Sequence, residues 1–206
     1  KSMLTLLLGK AIEEGFIESL SDPITKYLQE FEDDSLAQQC TVGDLSSMTA
    51  GYDWSESYYF PLNPTAKAYY GRNIVDQMLS RGFIKESGKE FKYLSGVTQL
   101  LGIIVSRATK KSLSSYLSDK FWKPMGMSKE SYWGLDNEDG MEKAYCCVYS
   151  NVRDLAKFGQ LILQDGKWNG TQLIDSSFVS LMKTPNYKAF MHKTQATYGY
   201  SLWLDY

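Results

Sequence analysis

The chain has 206 residues, 43% of them hydrophobic and 22% charged, which fits one globular domain, or most of one, with a sizeable core. Its 22 basic and 24 acidic residues leave a net charge of −2, and no basic run is present, so composition gives no footprint for nucleic acid. No apolar run approaches the ~20 residues of a membrane-spanning helix, and one histidine (His192) with three cysteines makes no metal-ligand spacing.

The pattern opens with KSMLTLLLGKAIEEG, an amphipathic helix whose inner face is Leu4, Leu7, Leu8, Ala11 and Ile12 and whose stop is Gly15. That helix lacks a start signal, so an element cut at Lys1 is expected. Asp22-Pro23 predicts an N-cap and first residue for a short helix through Leu28. Thr41 with Asp44 three residues on predicts a capping box opening a helix to about Met48. The aromatic segment GYDWSESYYFPLNP, Gly51 to Pro64, is too long for a tight turn and is expected to cover something. A helical stretch from about Ala66 to Leu79 follows, broken at Gly71.

Ser95 is expected to cap a helix bearing Val97, Leu100, Leu101, Ile104, Val105 and Ala108 on its inner side. Ser112 caps another, with Leu113, Tyr116, Leu117 and Phe121 inward and Pro124 as its stop. Asn151 and Asp154 open a further helix, in which Asp154 reads as a capping group and not as an acid catalyst. Gly166 and Gly170 punctuate a turn before a short helix near Ser176 to Met182. Only YGYSLWL, Tyr198 to Leu204, alternates as a strand, with the segment Tyr145 to Tyr149 as its one weak candidate partner. The adjacent Cys146 and Cys147 read as small packed residues, not as a disulfide.

Taken singly, the residues that can carry chemistry have plain readings. Lys1 is a solvated lysine at a helix start, and Tyr93 is a core tyrosine ahead of a capped helix. Trp54, Tyr58, Tyr59, Trp133 and Tyr145 read as loop packing, with one or two available to wall a substrate pocket.

Four segments in order change that. KSMLTLLLGKAIEEGFIESLSDPITKYLQEF, GDLSSMTAGYDW, FKYLSGVTQLLG with its later Pro124-Met125-Gly126-Met127, and AYCCVYSNVRDLAKFGQLILQDGKWNGTQLI together resemble the penicillin-recognising serine hydrolases. That family includes class C β-lactamases, D-alanyl-D-alanine carboxypeptidases, esterases and 6-aminohexanoate-oligomer hydrolases. The resemblance implies that Lys1 is the lysine of a Ser-x-x-Lys motif whose serine lies three residues upstream, and that Tyr93 begins the Tyr-x-Asn element. Residues three apart on a helix share a face, so the amine can reach the hydroxyl. Ser95 stands where many relatives carry asparagine. It is therefore either a substrate-binding group or the N-cap of its helix. Lys193-Thr194-Gln195 lies too early to be the family's third motif, which is expected beyond Tyr206.

The resemblance implies residues 1–206 to be a single β-lactamase-like domain, incomplete at both ends. The chain is expected to be mainly α, the helical region of an α+β fold whose antiparallel sheet lies mostly outside it. The implied function is acyl transfer to an upstream serine from an amide, lactam or ester, with Lys1 and Tyr93 moving the proton. No metal and no organic cofactor are implied, the partner is a small-molecule or peptide-like substrate, and the 206 residues alone are expected to be inactive. A periplasmic or exported location is implied by the resemblance alone. Two other readings stand beside it: a catalytically inactive relative that binds peptide or cell-wall material, and an unrelated helical interaction module.

Overall fold

The computed structural model describes residues 1–57, 59–191 and 194–204, with residues 187–191 and 194–196 as backbone. Tyr58, His192 and Lys193 therefore lie outside the described residues, and with them the sequence readings that involve them. The architecture is mainly α. Among the described residues there are eight α-helices, and the central one, α5 (Ser95–Thr109), packs on four of the others: α1 (Ser2–Glu13), α2 (Val42–Ser46), α4 (Ile74–Leu79) and α6 (Leu113–Leu117).

Helix α5 is central because it is apolar nearly all round: every residue from Ser95 to Val105 is buried. Its two glycines let neighbours approach the backbone. A Cβ on Gly102 would lie 2.5 Å from the Cβ of Ala144, and one on Gly96 would lie 2.5–2.6 Å from ring atoms of Trp54. Gly96→Ala would gain about 1 kcal/mol of helix propensity, but overpacking against the buried indole costs about 1–3 kcal/mol. A net loss of roughly 1–2 kcal/mol is expected, read as a melting temperature lower by several degrees. An unchanged or raised value would mean that Trp54 yields freely.

Helix α1 is more deeply enclosed than its pattern predicts. Thr5, Leu6 and Gly9 are buried beside the expected inner face. Thr5 Oγ1 is 3.2 Å from Ser46 Oγ of α2, and Gly9 admits the ring of Phe178 from α8 (Ser176–Met182). The helix is thus buried beyond its predicted inner face, which an amphipathic pattern does not anticipate.

Local punctuation is where it was expected in most elements. Gly15 ends α1 with φ +75, and Thr41 and Asp44 form a reciprocal capping box on α2. Gly71 separates α3 (Pro64–Tyr70) from α4. Ser112 caps α6, whose end widens into a further turn at Ser118–Trp122. Asn151 caps α7 (Val152–Leu163) by accepting the Asp154 N–H. Asp154 itself is fully buried and accepts from Ser128 N–H, Ser128 Oγ and Lys129 N–H at 2.9–3.1 Å and from Asn151 Nδ2 at 2.6 Å. Burial pushes its carboxyl toward the neutral form, but the donors outweigh that and hold it well below the usual carboxylate range. It is a tie between α7 and the 126–129 loop.

Five expectations need correction. Asp22 does not cap a helix: the chain forms one tight turn at Ile24–Lys26 with Pro23 at its start, while Asp22 accepts from Ser19 and Tyr27. Ser95 does not cap α5; Leu94 holds that position and its side chain cannot accept. YGYSLWL is not one strand. The chain reverses within it, Ser201 having φ +56, so that β6 (Thr194–Tyr198) pairs antiparallel with both β7 (Trp203–Leu204) and β5 (Tyr187–Met191). The Tyr145 to Tyr149 segment pairs elsewhere, as β2 (Val148–Tyr149) against β1 (Tyr132–Trp133). Finally, Cys146 and Cys147 are joined as a disulfide across one peptide, with Cys147 in the left-handed region at φ +70. Two more short strands, β3 (Lys167–Trp168) and β4 (Thr171–Gln172), make a hairpin around Asn169-Gly170, both at positive φ as a two-residue turn of that hand requires.

Candidate active site

Lys1 precedes the first turn of α1, and that helix, packed along α5, delivers its side chain to the start of α5. There Nζ donates to Thr98 Oγ1 at 3.1 Å and lies over the ring of Tyr93, 4.9 Å from its centre. So the structure brings together Lys1 and Tyr93, 92 positions apart in sequence. The contact is between the amine and the face of the ring. Burial lowers the Lys1 side-chain pKa from 10.5 to about 8, and the carboxylate of Glu56 pulls the other way.

Tyr93 stands in the extended approach to α5. Its ring meets Tyr198 at 6.0 Å, edge to face, and Trp203 at 5.5 Å, while Phe91 packs at an angle against the same pair. These contacts fix the ring while leaving 37% of the residue exposed. Ser95 is buried, and its N–H and its hydroxyl both donate to Glu56, the hydroxyl at 3.2 Å. Its side chain is thus spent on a carboxylate from the aromatic loop in this conformation.

All three residues border a cavity of about 560 Å³, whose other walls are Thr65, Ala66, Tyr69 and Tyr70 of α3 with Tyr145 and Cys146. Four phenol rings and one buried amine make it an apolar chamber with a single cation, a size suited to a small organic molecule. The Tyr145 wall is held by Gln99, a wholly buried side chain of α5. Its amide donates to Glu142 O at 3.0 Å and accepts from Ala144 N–H at 2.7 Å. Of the loop aromatics among the described residues, Tyr145 lines the chamber. Trp54 packs behind it on α5, Trp133 donates to Lys143 O and Cys146 O, and Tyr59 projects outward.

A slightly larger cavity, about 610 Å³, lies between α6 and the 126–133 loop, but it contains neither Lys1 nor Tyr93. The smaller one is the better candidate, because it holds the amine whose pKa is displaced by burial. Among the described residues no group of acidic, histidine or cysteine side chains is arranged to hold a metal ion, and no helix is long and apolar enough to cross a membrane.

A profile of the family described as Beta-lactamase matches residues 1–205. The chain belongs to the Beta-lactamase family. A 6-aminohexanoate-dimer hydrolase of Paenarthrobacter ureafaciens is 25% identical over 189 residues, covering 87% of this chain and 47% of that protein. Among solved structures, a candidate 6-aminohexanoate-dimer hydrolase from Bacillus anthracis superposes with a TM-score of 0.83 at 25% identity, covering 98% of this chain and 56% of that one. A family VIII carboxylesterase shares the fold at a TM-score of 0.78 and 19% identity, over 99% of this chain and 65% of that one. The chain spans about half the length of the first curated relatives it matches. Named Beta-lactamase-fold relatives thus include hydrolases of amides and esters.

Two groups at the site escaped the sequence reading. Thr98, the partner of Lys1, had a detectable signal: it lies one helical turn after Ser95 on the same face. Glu56 had none, because it reaches α5 from 39 residues upstream, out of an aromatic loop.

Proposed function

We propose that the full-length protein is a serine acyl-transfer hydrolase in which Lys1 is the lysine of a Ser-x-x-Lys pair and Tyr93 its proton-transfer partner. The observation that carries this reading is the buried Lys1 amine, pKa about 8, lying against Tyr93 at the edge of an apolar chamber. An amine near neutrality at working pH can take a hydroxyl proton, which an ordinary lysine cannot.

The serine oxygen adds to the carbonyl carbon of an amide, lactam or ester while its proton passes to Lys1 Nζ. As the tetrahedral adduct collapses, that proton moves to the departing nitrogen or oxygen, with the Tyr93 hydroxyl as its carrier. Water then adds to the acyl-enzyme, losing its proton to the same pair, and the serine regains one as the acid leaves. The phenol rings of Tyr69, Tyr70 and Tyr145 supply apolar contact to the substrate. Ser95 is a substrate-binding group only if its hydroxyl leaves Glu56.

The test is labelling of the full-length protein with a fluorophosphonate, followed by mapping of the labelled residue. A single adduct on a serine three positions before Lys1 is the expected result. No adduct, or a residue other than serine at that position, would overturn the assignment and leave a binding role.

A further inference from the structure

Glu56 touches both walls of the chamber. Its carboxylate accepts the Ser95 N–H at the first residue of α5 and the Ser95 hydroxyl at 3.2 Å. Thr65 Oγ1, in the first turn of α3, lies 3.4 Å from the same carboxylate and shares its single proton between it and Ser55 O. Thr65 in turn accepts the indole N–H of Trp54 at 3.0 Å and donates to Ser55 O at 2.8 Å, so the loop carrying Glu56 is fastened on both sides of it. A carboxylate on the N-terminus of a 15-residue helix is favoured by the helix dipole and by the N–H groups that lack partners there.

We propose that Glu56 is a positioning residue for the proton-transfer pair, its carboxylate setting α5 against α3 and balancing the charge of the Lys1 ammonium. The inference rests on the Ser-x-x-Lys reading above. The geometric consequence concerns Tyr93 and Thr98. They flank Ser95, two residues before it and three after, and both touch Lys1. Holding the first turn of α5 therefore holds both contacts of the amine. The electrostatic consequence has the opposite sense to burial: burial favours the neutral amine, and Glu56 favours the ammonium.

The titratable groups facing Lys1 come from every element around the chamber: Tyr69 and Tyr70 from α3, Tyr93 from the approach to α5, and Tyr145 from the strand-forming segment. Glu56, from the loop, is the one acid among these groups. Cys146 does not titrate, being in the disulfide. Removing the Glu56 charge therefore leaves only phenols to answer the ammonium, and Lys1 must release its proton at lower pH.

The experiment measures kcat/KM of the full-length enzyme for p-nitrophenyl butyrate against pH. Glu56→Gln keeps an oxygen for Ser95 and deletes the charge, so the acid limb is expected to move to lower pH. Glu56→Ala also deletes the clamp and is expected to lower plateau kcat about tenfold in addition, since small misplacements at a reacting centre are costly. An acid limb at the wild-type pH in Glu56→Gln, with only the melting temperature reduced, would overturn the proposal and leave Glu56 a structural cap. Lys1→Ala separates the two failures. If that variant keeps wild-type labelling by the fluorophosphonate, the Lys1 reading itself fails. If it loses labelling while Glu56→Gln keeps its limb, only the role of Glu56 fails.

Discussion

Lys1→Ala in the full-length protein is expected to lower kcat/KM for a short-chain p-nitrophenyl ester by about 10³-fold, within the range that a positioned general base contributes. The unaltered protein should show activity rising with pH through about 8, where the buried amine loses its proton. The sign follows from which form works. Burial has lowered the folded-state value from 10.5, so the neutral, proton-accepting amine accumulates above pH 8 and not above 10.5. The same displacement has a stability consequence of known direction. Between about 8 and 10.5 the unfolded chain binds more protons than the folded one, so stability rises with pH across that window. Below it, the penalty of holding a charged amine partly out of water is present in full. Lys1→Met, which keeps the chain length and removes the charge, should thus be no less stable than the parent at pH 7 while being inactive. A flat pH profile between 6 and 10, or turnover retained in Lys1→Ala, would remove the amine from the mechanism.

The second large effect is expected from one oxygen. Tyr93→Phe keeps the ring on which Lys1, Tyr198 and Trp203 rest, so fold and pocket shape should survive. What disappears is the group proposed to carry the proton outward, and a loss of about 10²-fold in ester turnover is expected. Melting should change little, because the ring contacts are kept and the residue as a whole is more than a third exposed. Wild-type turnover in Tyr93→Phe would assign the ring to packing alone. The combination of an inactive Lys1→Ala and a fully active Tyr93→Phe would place all proton transfer on the lysine.

The elements legible in the sequence share one property: their signals are local. Gly15, the Thr41–Asp44 box, Gly71, Ser112 and Asn151 each act within four residues of the boundary they set, and the structure uses each of them there. The central helix was legible from its apolar spacing, and its central position follows from burial on every side. The pairing of Lys1 with Tyr93 was legible only through family resemblance, since no periodicity links residues so far apart. The misreadings share the opposite property. Alternation in YGYSLWL gave no hint of the reversal at Ser201, because period-two spacing is the same in one strand and in two. Ser95 has the residue type of a cap, but the acceptor comes from Glu56. Cys146 and Cys147 were read as packing because their union depends on a left-handed residue that spacing does not reveal.

That borrowed acceptor is not confined to α5. The first N–H of α4, at Ile74, donates to Asp136 at 2.6 Å, and Ser114 N–H in α6 donates to Glu142 at 2.8 Å. Three helix starts are thus completed by carboxylates 62, 39 and 28 positions away in the chain. Of these, α4 and α5 have no side-chain cap of their own, so their first turns depend on loop closure, whereas α6 also has Ser112. Helix α5 takes its first-turn acceptor from the loop bearing Glu56, so the docking of that loop and the placing of Tyr93 and Thr98 against Lys1 are coupled.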